Sequence, residues 1–150
     1  MKFRILLLTN RDSDNVGDQI IEATAVSILR GVLKNLGMAP RECEISSRAA
    51  GIIAKKYLST GDPKLLKDAR EEIAAADGVL FCSPEYNRGI PGPLKNAIDV
   101  GSRPYGKSVF DKKPAAIVTA SPGSIGGFGS NHQIRQAAVF LNMPVMQQPE

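Results

Sequence analysis

Residues 79–92 read Val79-Leu80-Phe81-Cys82-Ser83-Pro84-Glu85-Tyr86-Asn87-Arg88-Gly89-Ile90-Pro91-Gly92, an apolar run followed by a segment rich in Pro and Gly. The apolar run Val79–Cys82 predicts a buried strand, and the segment after it predicts a loop that leads into a helix near Pro93. Open α/β sheets bind their ligands in loops at the carboxyl ends of parallel strands. The stretch therefore predicts a strand, a ligand-binding loop and a helix, in that order.

The same alternation of strands and helices continues along the whole chain. Strands are predicted at Arg4–Thr9, Cys43–Ser46, Val79–Cys82, Ala115–Ala120 and Pro144–Gln148. Helices are predicted at Asp18–Leu36, Ala49–Leu58, Pro63–Ala76 after an Asp62 cap, from Pro93, and at Asn131–Leu141. The pattern predicts an α/β fold, a flavodoxin-like three-layer sandwich with a five-stranded parallel sheet in the order 2-1-3-4-5. The sequence stops where such a fold normally adds its last helix, so one sheet face is expected to be thinly covered.

Composition limits the class of protein. A chain of 150 residues, 43% of them hydrophobic, predicts a single domain over residues 1–150. Its Lys and Arg are scattered among acids and it has no Trp, so no nucleic-acid partner is expected. The apolar run Ile5–Leu8 is too short for a signal peptide or a membrane span. Cys43 and Cys82 lack metal-ligand spacing, which predicts buried thiols, no metal site and a cytoplasmic location.

Three loops leave the carboxyl ends of the first, third and fourth predicted strands. They are Asn10–Gly17, Ser83–Gly92 and Ser121–Ser130, and in this topology they meet at one edge of the sheet. The third loop contains Ser-Pro-Gly-Ser-Ile-Gly-Gly at residues 121–127, whose glycines allow backbone N–H groups to approach a ligand carbonyl or anion. A flexible turn is the alternative interpretation of this loop taken alone.

Two segments carry a resemblance to a known family. The first segment resembles the signature of the NADPH-dependent FMN reductase family. The matching residues are Pro84-Glu85-Tyr86-Asn87, Ile90-Pro91-Gly92 and Leu94-Lys95-Asn96-Ala97-Ile98-Asp99. The Ser121–Gly127 loop and the segment Asn131–Gln136 are similar to members that reduce chromate, quinones or azo dyes. The resemblance covers roughly residues 67–150.

This resemblance implies an FMN site at the sheet edge. In the family, the Pro-Glu-Tyr-Asn loop wraps the isoalloxazine ring and the Ser-Pro-Gly loop meets its pyrimidine end. The glycine N–H groups of the third loop are then expected near N1 and O2 of the ring. No catalytic side chain is predicted, because the flavin carries its own hydride chemistry. The implied cofactor contacts in these two loops are Pro84, Glu85, Tyr86, Asn87, Ser121, Pro122, Gly123, Gly126 and Gly127.

The first loop departs from the family pattern. FMN reductases place a Gly-Ser-x-Arg-x-x-Ser-x-Asn type loop there, which holds the FMN phosphate at a helix N-terminus. Ser13 and Asn15 preserve the Ser-x-Asn pair, and Arg11 is placed to pair with a phosphate. Nearby acids disfavour a dianion by about 1 kcal/mol or more each; these acids are Asp12, Asp14 and Asp18. The alternative is therefore a non-catalytic flavodoxin-like scaffold with an impaired phosphate loop.

Residues 1–66 resemble a different family, the beginning of polysaccharide pyruvyl transferases. The similarity lies in Asp14-Asn15-Val16-Gly17-Asp18-Gln19-Ile20-Ile21 and in Ser46-Ser47-Arg48-Ala49-Ala50. It predicts a chimera joined near residues 67–77, with a pyruvyl transferase fragment as a further alternative.

The sequence as a whole predicts an FMN-dependent NAD(P)H oxidoreductase. The resemblance implies ping-pong hydride transfer through bound FMN, with NADPH or NADH as the reductant. It implies a small-molecule electron acceptor, which is a quinone, an azo compound, free flavin or a metal oxyanion. It also implies a homodimer or a homotetramer.

Overall fold

Four strands and five helices alternate along the residues that the computed structural model describes, which are 2–10, 16–39 and 41–148. The strands are β1 (Phe3–Thr9), β2 (Cys43–Ala49), β3 (Gly78–Pro84) and β4 (Ala115–Ala120). The helices are α1 (Val16–Asn35), α2 (Ala50–Thr60), α3 (Lys64–Ala75), α4 (Gly92–Gly101) and α5 (Phe128–Phe140). All predicted helices are present, and β4 has the predicted bounds.

The strands form one parallel sheet in the order β2-β1-β3-β4. Thr9 at the end of β1 pairs with Cys82 of β3, and Pro84 at the end of β3 pairs with Ala120 at the end of β4. The carboxyl ends of these strands therefore lie along one edge, as the predicted α/β flavodoxin-like topology requires.

The prediction of a fifth strand is wrong for the described part of the chain. The segment after α5 makes one parallel bridge, between Val145 and Ala115. The Ala115 N–H donates to the Pro144 carbonyl and the Met146 N–H donates to the Ala115 carbonyl, both at 2.9 Å. This pairing reaches only the first residue of β4. A continued parallel ladder would use the Met146 carbonyl as acceptor for the Ile117 N–H, but this carbonyl accepts from Arg135 Nη1 at 3.0 Å. The sheet has four strands for this reason.

The larger part of the core lies on the face covered by α3, α4 and α5. Leu6, Leu8 and Phe81 point to this face, where they meet Leu94 and Ile134 of α4 and α5. Burying each such side chain contributes about 1.5–3 kcal/mol. Because side chains alternate along a strand, Leu7 and Cys82 point to the opposite face, which α1 covers.

The face covered by α1 has the smaller cluster of buried side chains. Val118 of β4 alternates with buried Ile117, and its side chain is 40% exposed. After α5, the described residues contain no further helix.

Candidate functional site

The second and third predicted loops meet at the carboxyl edge of the sheet. The second loop, Glu85–Pro91, follows β3, and the third loop, Ser121–Gly127, follows β4. Their starting points are adjacent because Pro84 and Ala120 are paired in the sheet. The register of β3 and β4 therefore forms this part of the site.

The second loop is a tight turn that exposes its tip. The N–H of Tyr86 donates to the Gly89 carbonyl at 3.1 Å, and the N–H of Gly89 donates back to the Tyr86 carbonyl at 3.0 Å. Between them, Asn87 has φ 50° and Arg88 has φ 64°, which is the pattern of a type I′ turn. A bulky residue such as Arg88 at positive φ costs about 1–3 kcal/mol. The side chains of Tyr86 and Asn87 are exposed at the tip, where they can contact a ligand.

A buried carboxylate joins this loop to α5. The side chain of Glu85 is only 6% exposed. Its Oε2 accepts a hydrogen bond of 3.2 Å from the backbone N–H of Ser130, in the first turn of α5. Its Oε1 lies 3.4 Å from the guanidinium of Arg88. A carboxylate at a helix N-terminus is stabilised by the helix dipole and satisfies an N–H that has no partner within the helix.

Further hydrogen bonds from α5 reinforce this connection. Gln133 Oε1 accepts from the Ile90 N–H at 3.0 Å. The hydroxyls of Ser83 and Ser130, both fully buried, lie 3.0 Å apart. Gly129 allows the loop to approach closely, because a Cβ there would lie 2.6 Å from the Arg88 carbonyl oxygen and 2.8 Å from Oε2 of the glutamate. The second loop is thus held by the first turns of α5.

The third loop is built on glycines with left-handed backbones. Gly126 has φ 58° and Gly127 has φ 87°, and a Cβ on Gly127 would lie 2.9 Å from Cβ of Thr119. The N–H of Gly123 donates to Ser121 Oγ at 3.2 Å, and the N–H of Gly126 donates to the Gly123 carbonyl at 3.1 Å. Two of the three predicted glycine donors therefore have partners within the loop. Pro122, like Gly123 and Gly126, is exposed.

The first loop falls largely outside the described residues. The predicted phosphate contacts Arg11, Ser13 and Asn15 all lie outside the described residues. Next to the first loop, the side chain of Glu22 in α1 is buried. Its Oε2 accepts a hydrogen bond from Thr9 Oγ1 at 3.0 Å, and its Oε1 accepts one from Ser47 Oγ at 2.6 Å. This carboxylate ties α1 to β1 and β2.

The ionisable groups around the site are committed to structural contacts. Burial, with a smaller contribution from Glu22, raises the pKa of the Cys82 thiol to about 12, so the thiol is protonated and unreactive at neutral pH. The exposed His132 ring stacks on Phe128, with centroids 4.0 Å apart. Lys95 pairs with Asp99 one turn along α4 at 2.8 Å. Among the described residues, no group of three or more His, Cys, Asp or Glu side chains is placed to bind a metal.

The structure brings nine of the predicted site residues to one edge of the sheet, those of the second and third loops. Residues outside the predicted set of cofactor contacts connect β3 and the second loop to α5, which directly follows the third loop; they are Ser83, Gly129, Ser130 and Gln133. No local spacing signals these contacts, since Glu85 and Ser130 are 45 positions apart.

A solved structure shares this architecture. FerB, a flavoenzyme NAD(P)H:(acceptor) oxidoreductase from Paracoccus denitrificans, superposes with a TM-score of 0.75 at 25% sequence identity. The match covers 100% of this chain and 78% of that one. The fold is therefore that of a flavodoxin-like α/β protein.

Sequence comparison identifies the family. The chain belongs to the NADPH-dependent FMN reductase family, whose profile matches residues 21–150. A quinone reductase of Pseudomonas putida is 51% identical over 119 residues, which cover 71% of this chain and 64% of that protein. A 2-hydroxy-1,4-benzoquinone reductase of a Burkholderia species is 44% identical over 88 residues, which cover 59% of this chain and 48% of that protein. The chain thus spans about half to two thirds of these relatives' lengths.

The predicted chimera is wrong. The family match begins at residue 21 and continues through the expected joint at 67–77 without a change of family.

No helix in the described ranges is both long enough and apolar enough to cross a membrane.

Proposed function

We propose that the protein is an FMN-dependent NAD(P)H oxidoreductase that reduces quinones. The observation that carries this proposal is the joining of the second and third loops at the sheet edge through Glu85 and α5, in a chain of the FMN reductase family. The two quinone reductases among its relatives support the choice of acceptor. Azo compounds, flavin and metal oxyanions are further acceptors in the same proposal.

The loops fit a flat ring. The turn at Tyr86–Gly89 exposes an aromatic ring and an amide at its tip, and the third loop exposes backbone beside it with little side-chain bulk. In the proposal, Pro84, Glu85, Tyr86 and Asn87 border the ring on one side. The third loop borders the pyrimidine end through Ser121, Pro122, Gly123, Gly126 and Gly127. FMN, when bound, supplies the hydride chemistry.

In the proposal, the protein binds and orients the cofactor, the reductant and the acceptor. NADPH or NADH and the acceptor use the same exposed site in turn, which gives ping-pong kinetics. The buried Glu85 carboxylate keeps the second loop in place, and the protonated Cys82 thiol stays out of the redox chemistry. The phosphate contacts in the proposal are Arg11, Ser13 and Asn15.

The proposal includes a homodimer or homotetramer in the cytoplasm. Apolar side chains of α1 are exposed, since Ile20 and Ile28 are each 60% exposed and Val32 is 48% exposed, and exposed apolar surface favours association. The two cysteines are free and buried, which supports a reducing compartment. Size-exclusion chromatography with light scattering measures the oligomeric state.

Titration with FMN tests the proposal, followed by assays of NADPH oxidation with a quinone. Tyr86→Ala removes the exposed ring at the loop tip and is expected to weaken FMN binding about tenfold, which is about 1.4 kcal/mol. Tyr105→Ala is the matched control, since Tyr105 is 86% exposed and lies between α4 and β4. Equal effects of the two substitutions contradict the site. A wild-type protein that does not bind FMN, but gains binding with Asp12→Ser and Asp14→Ser, supports the scaffold with an impaired loop.

A further inference from the structure

A cavity between α2, α3 and α4 lies outside the candidate site. It has a volume of about 230 Å³ and reaches Leu8 of β1. Its wall is almost wholly carbon, with side chains such as Ile53, Ala69, Ala97 and Val100. In another protein, an engineered apolar cavity of about 150 Å³ stays dry and binds benzene. The larger cavity here has room for two fused rings.

The charged residues on this wall already have partners. Among the described lining residues these are Arg48 and Arg70. Arg48 Nε donates to Glu72 Oε2 at 2.6 Å. Arg70 Nη1 donates to the carbonyls of Val100 and Gly101, both at 2.9 Å, at the C-terminus of α4. The Glu72 carboxylate compensates the charge of Arg48, and the negative end of the α4 dipole faces Arg70, so the wall favours an uncharged ligand.

Two polar side chains complete the wall. Tyr57 of α2 and Asn96 of α4 are among the lining residues, and a hydroxyl or an amide is the kind of group that pairs with carbonyl oxygens on an otherwise apolar ligand. Asn96 lies in the second turn of α4, directly after the second loop, and Arg48 is the penultimate residue of β2. The cavity therefore adjoins the carboxyl edge of the sheet where the candidate site lies.

We propose that this cavity binds an uncharged aromatic molecule of two fused rings with carbonyl acceptors, which is the chemistry of a naphthoquinone. That this ligand is also an electron acceptor rests on the proposed function. Its binding to the cavity depends only on the size and chemistry of the wall.

Fluorine NMR of 1-fluoronaphthalene measures this binding without redox chemistry, on the full chain with and without FMN. Saturable binding is expected in both conditions. Ala69→Phe places a ring in the cavity and is expected to weaken binding at least about tenfold. Ala74→Phe is the matched control on the exposed side of the same helix, and it is expected to leave binding unchanged. Naphthalene-1-sulfonate is expected to bind at least about tenfold more weakly than the uncharged probe.

Ala97→Leu fills the cavity from α4 and is also expected to weaken binding of the probe at least about tenfold. The test therefore does not depend on the folding of a single variant. Circular dichroism checks the fold of each. The absence of saturable binding, or binding that neither folded variant weakens, overturns the proposal. Intact FMN binding with no fluoronaphthalene binding rejects the cavity alone, whereas the reverse pattern rejects the proposed function alone.

Discussion

Removing the Glu85 carboxylate is expected to destabilise the protein by about 2–3 kcal/mol. This side chain is 6% exposed and accepts the Ser130 N–H at 3.2 Å. Glu85→Ala leaves that partly buried N–H without its acceptor, which costs about 1–3 kcal/mol. It also removes a negative charge from the N-terminus of α5, which contributes about 0.3–1 kcal/mol. For a domain of this size, the melting temperature falls by roughly 2–4 °C for each kcal/mol.

Denaturation by guanidinium chloride, followed by circular dichroism, measures this effect. Glu85→Gln keeps an acceptor oxygen and loses only the charge, so a smaller loss of about 1 kcal/mol is expected. Glu71→Gln on α3 is the control. Glu71 is 64% exposed and lies 3.7 Å from Lys67, and such a surface pair contributes less than about 0.5 kcal/mol. If Glu85→Ala destabilises no more than Glu71→Gln, Glu85 does not hold the loop to α5.

Three further predictions concern a glycine contact, a backbone conformation and a buried thiol. Gly129→Ala forces a Cβ against the Arg88 carbonyl and should lower the free energy of unfolding by about 1–3 kcal/mol. Gly31→Ala lies at an open position in α1 and should raise it by about 0.5–1 kcal/mol. Urea denaturation shows whether the two changes have opposite signs. Arg88→Gly and Arg88→Ala both remove the contact with Glu85, but only glycine relieves the backbone at φ 64°, so Arg88→Gly should melt at a higher temperature than Arg88→Ala; an equal or lower melting temperature would contradict the strained turn. The folded Cys82 thiol, with its pKa raised to about 12, retains a proton that the unfolded chain loses near pH 9. Stability should therefore fall as pH rises from 9 towards 12, by at most about 1.4 kcal/mol per pH unit. In Cys82→Ala this contribution should vanish, and an unchanged slope from pH 8 to 10 would contradict it.

Local sequence patterns predicted the elements well. β4 has the predicted bounds because Ala115–Ala120 is a short apolar run between turn residues. The predicted cap is one residue too early, because α3 begins at Lys64 with Pro63 at the capping position; Asp62 Oδ1 nevertheless accepts the Lys64 N–H at 2.9 Å. The loop positions followed from the order of strands and helices, which requires the carboxyl ends of β3 and β4 to be neighbours.

The contacts that shape the site could not be predicted in the same way. The hydrogen bonds of Glu85 and Gln133 join segments more than 40 positions apart, and only the packed α5 brings them together. α5 begins at Phe128 rather than Asn131, because the left-handed Gly127 starts the helix earlier. Positive φ at Arg88 has no sequence signal, since turns of this type favour Asn and Gly.

A fluorescence titration of the purified chain with FMN shows whether the loops at the carboxyl edge of the sheet bind the cofactor. The account predicts saturable binding at one FMN per chain, with Kd well below about 100 µM, and weaker binding in Glu85→Ala, because the second loop is released from α5. Absence of saturation for the wild-type protein at that concentration, or an unchanged Kd in the folded Glu85→Ala variant, would contradict it.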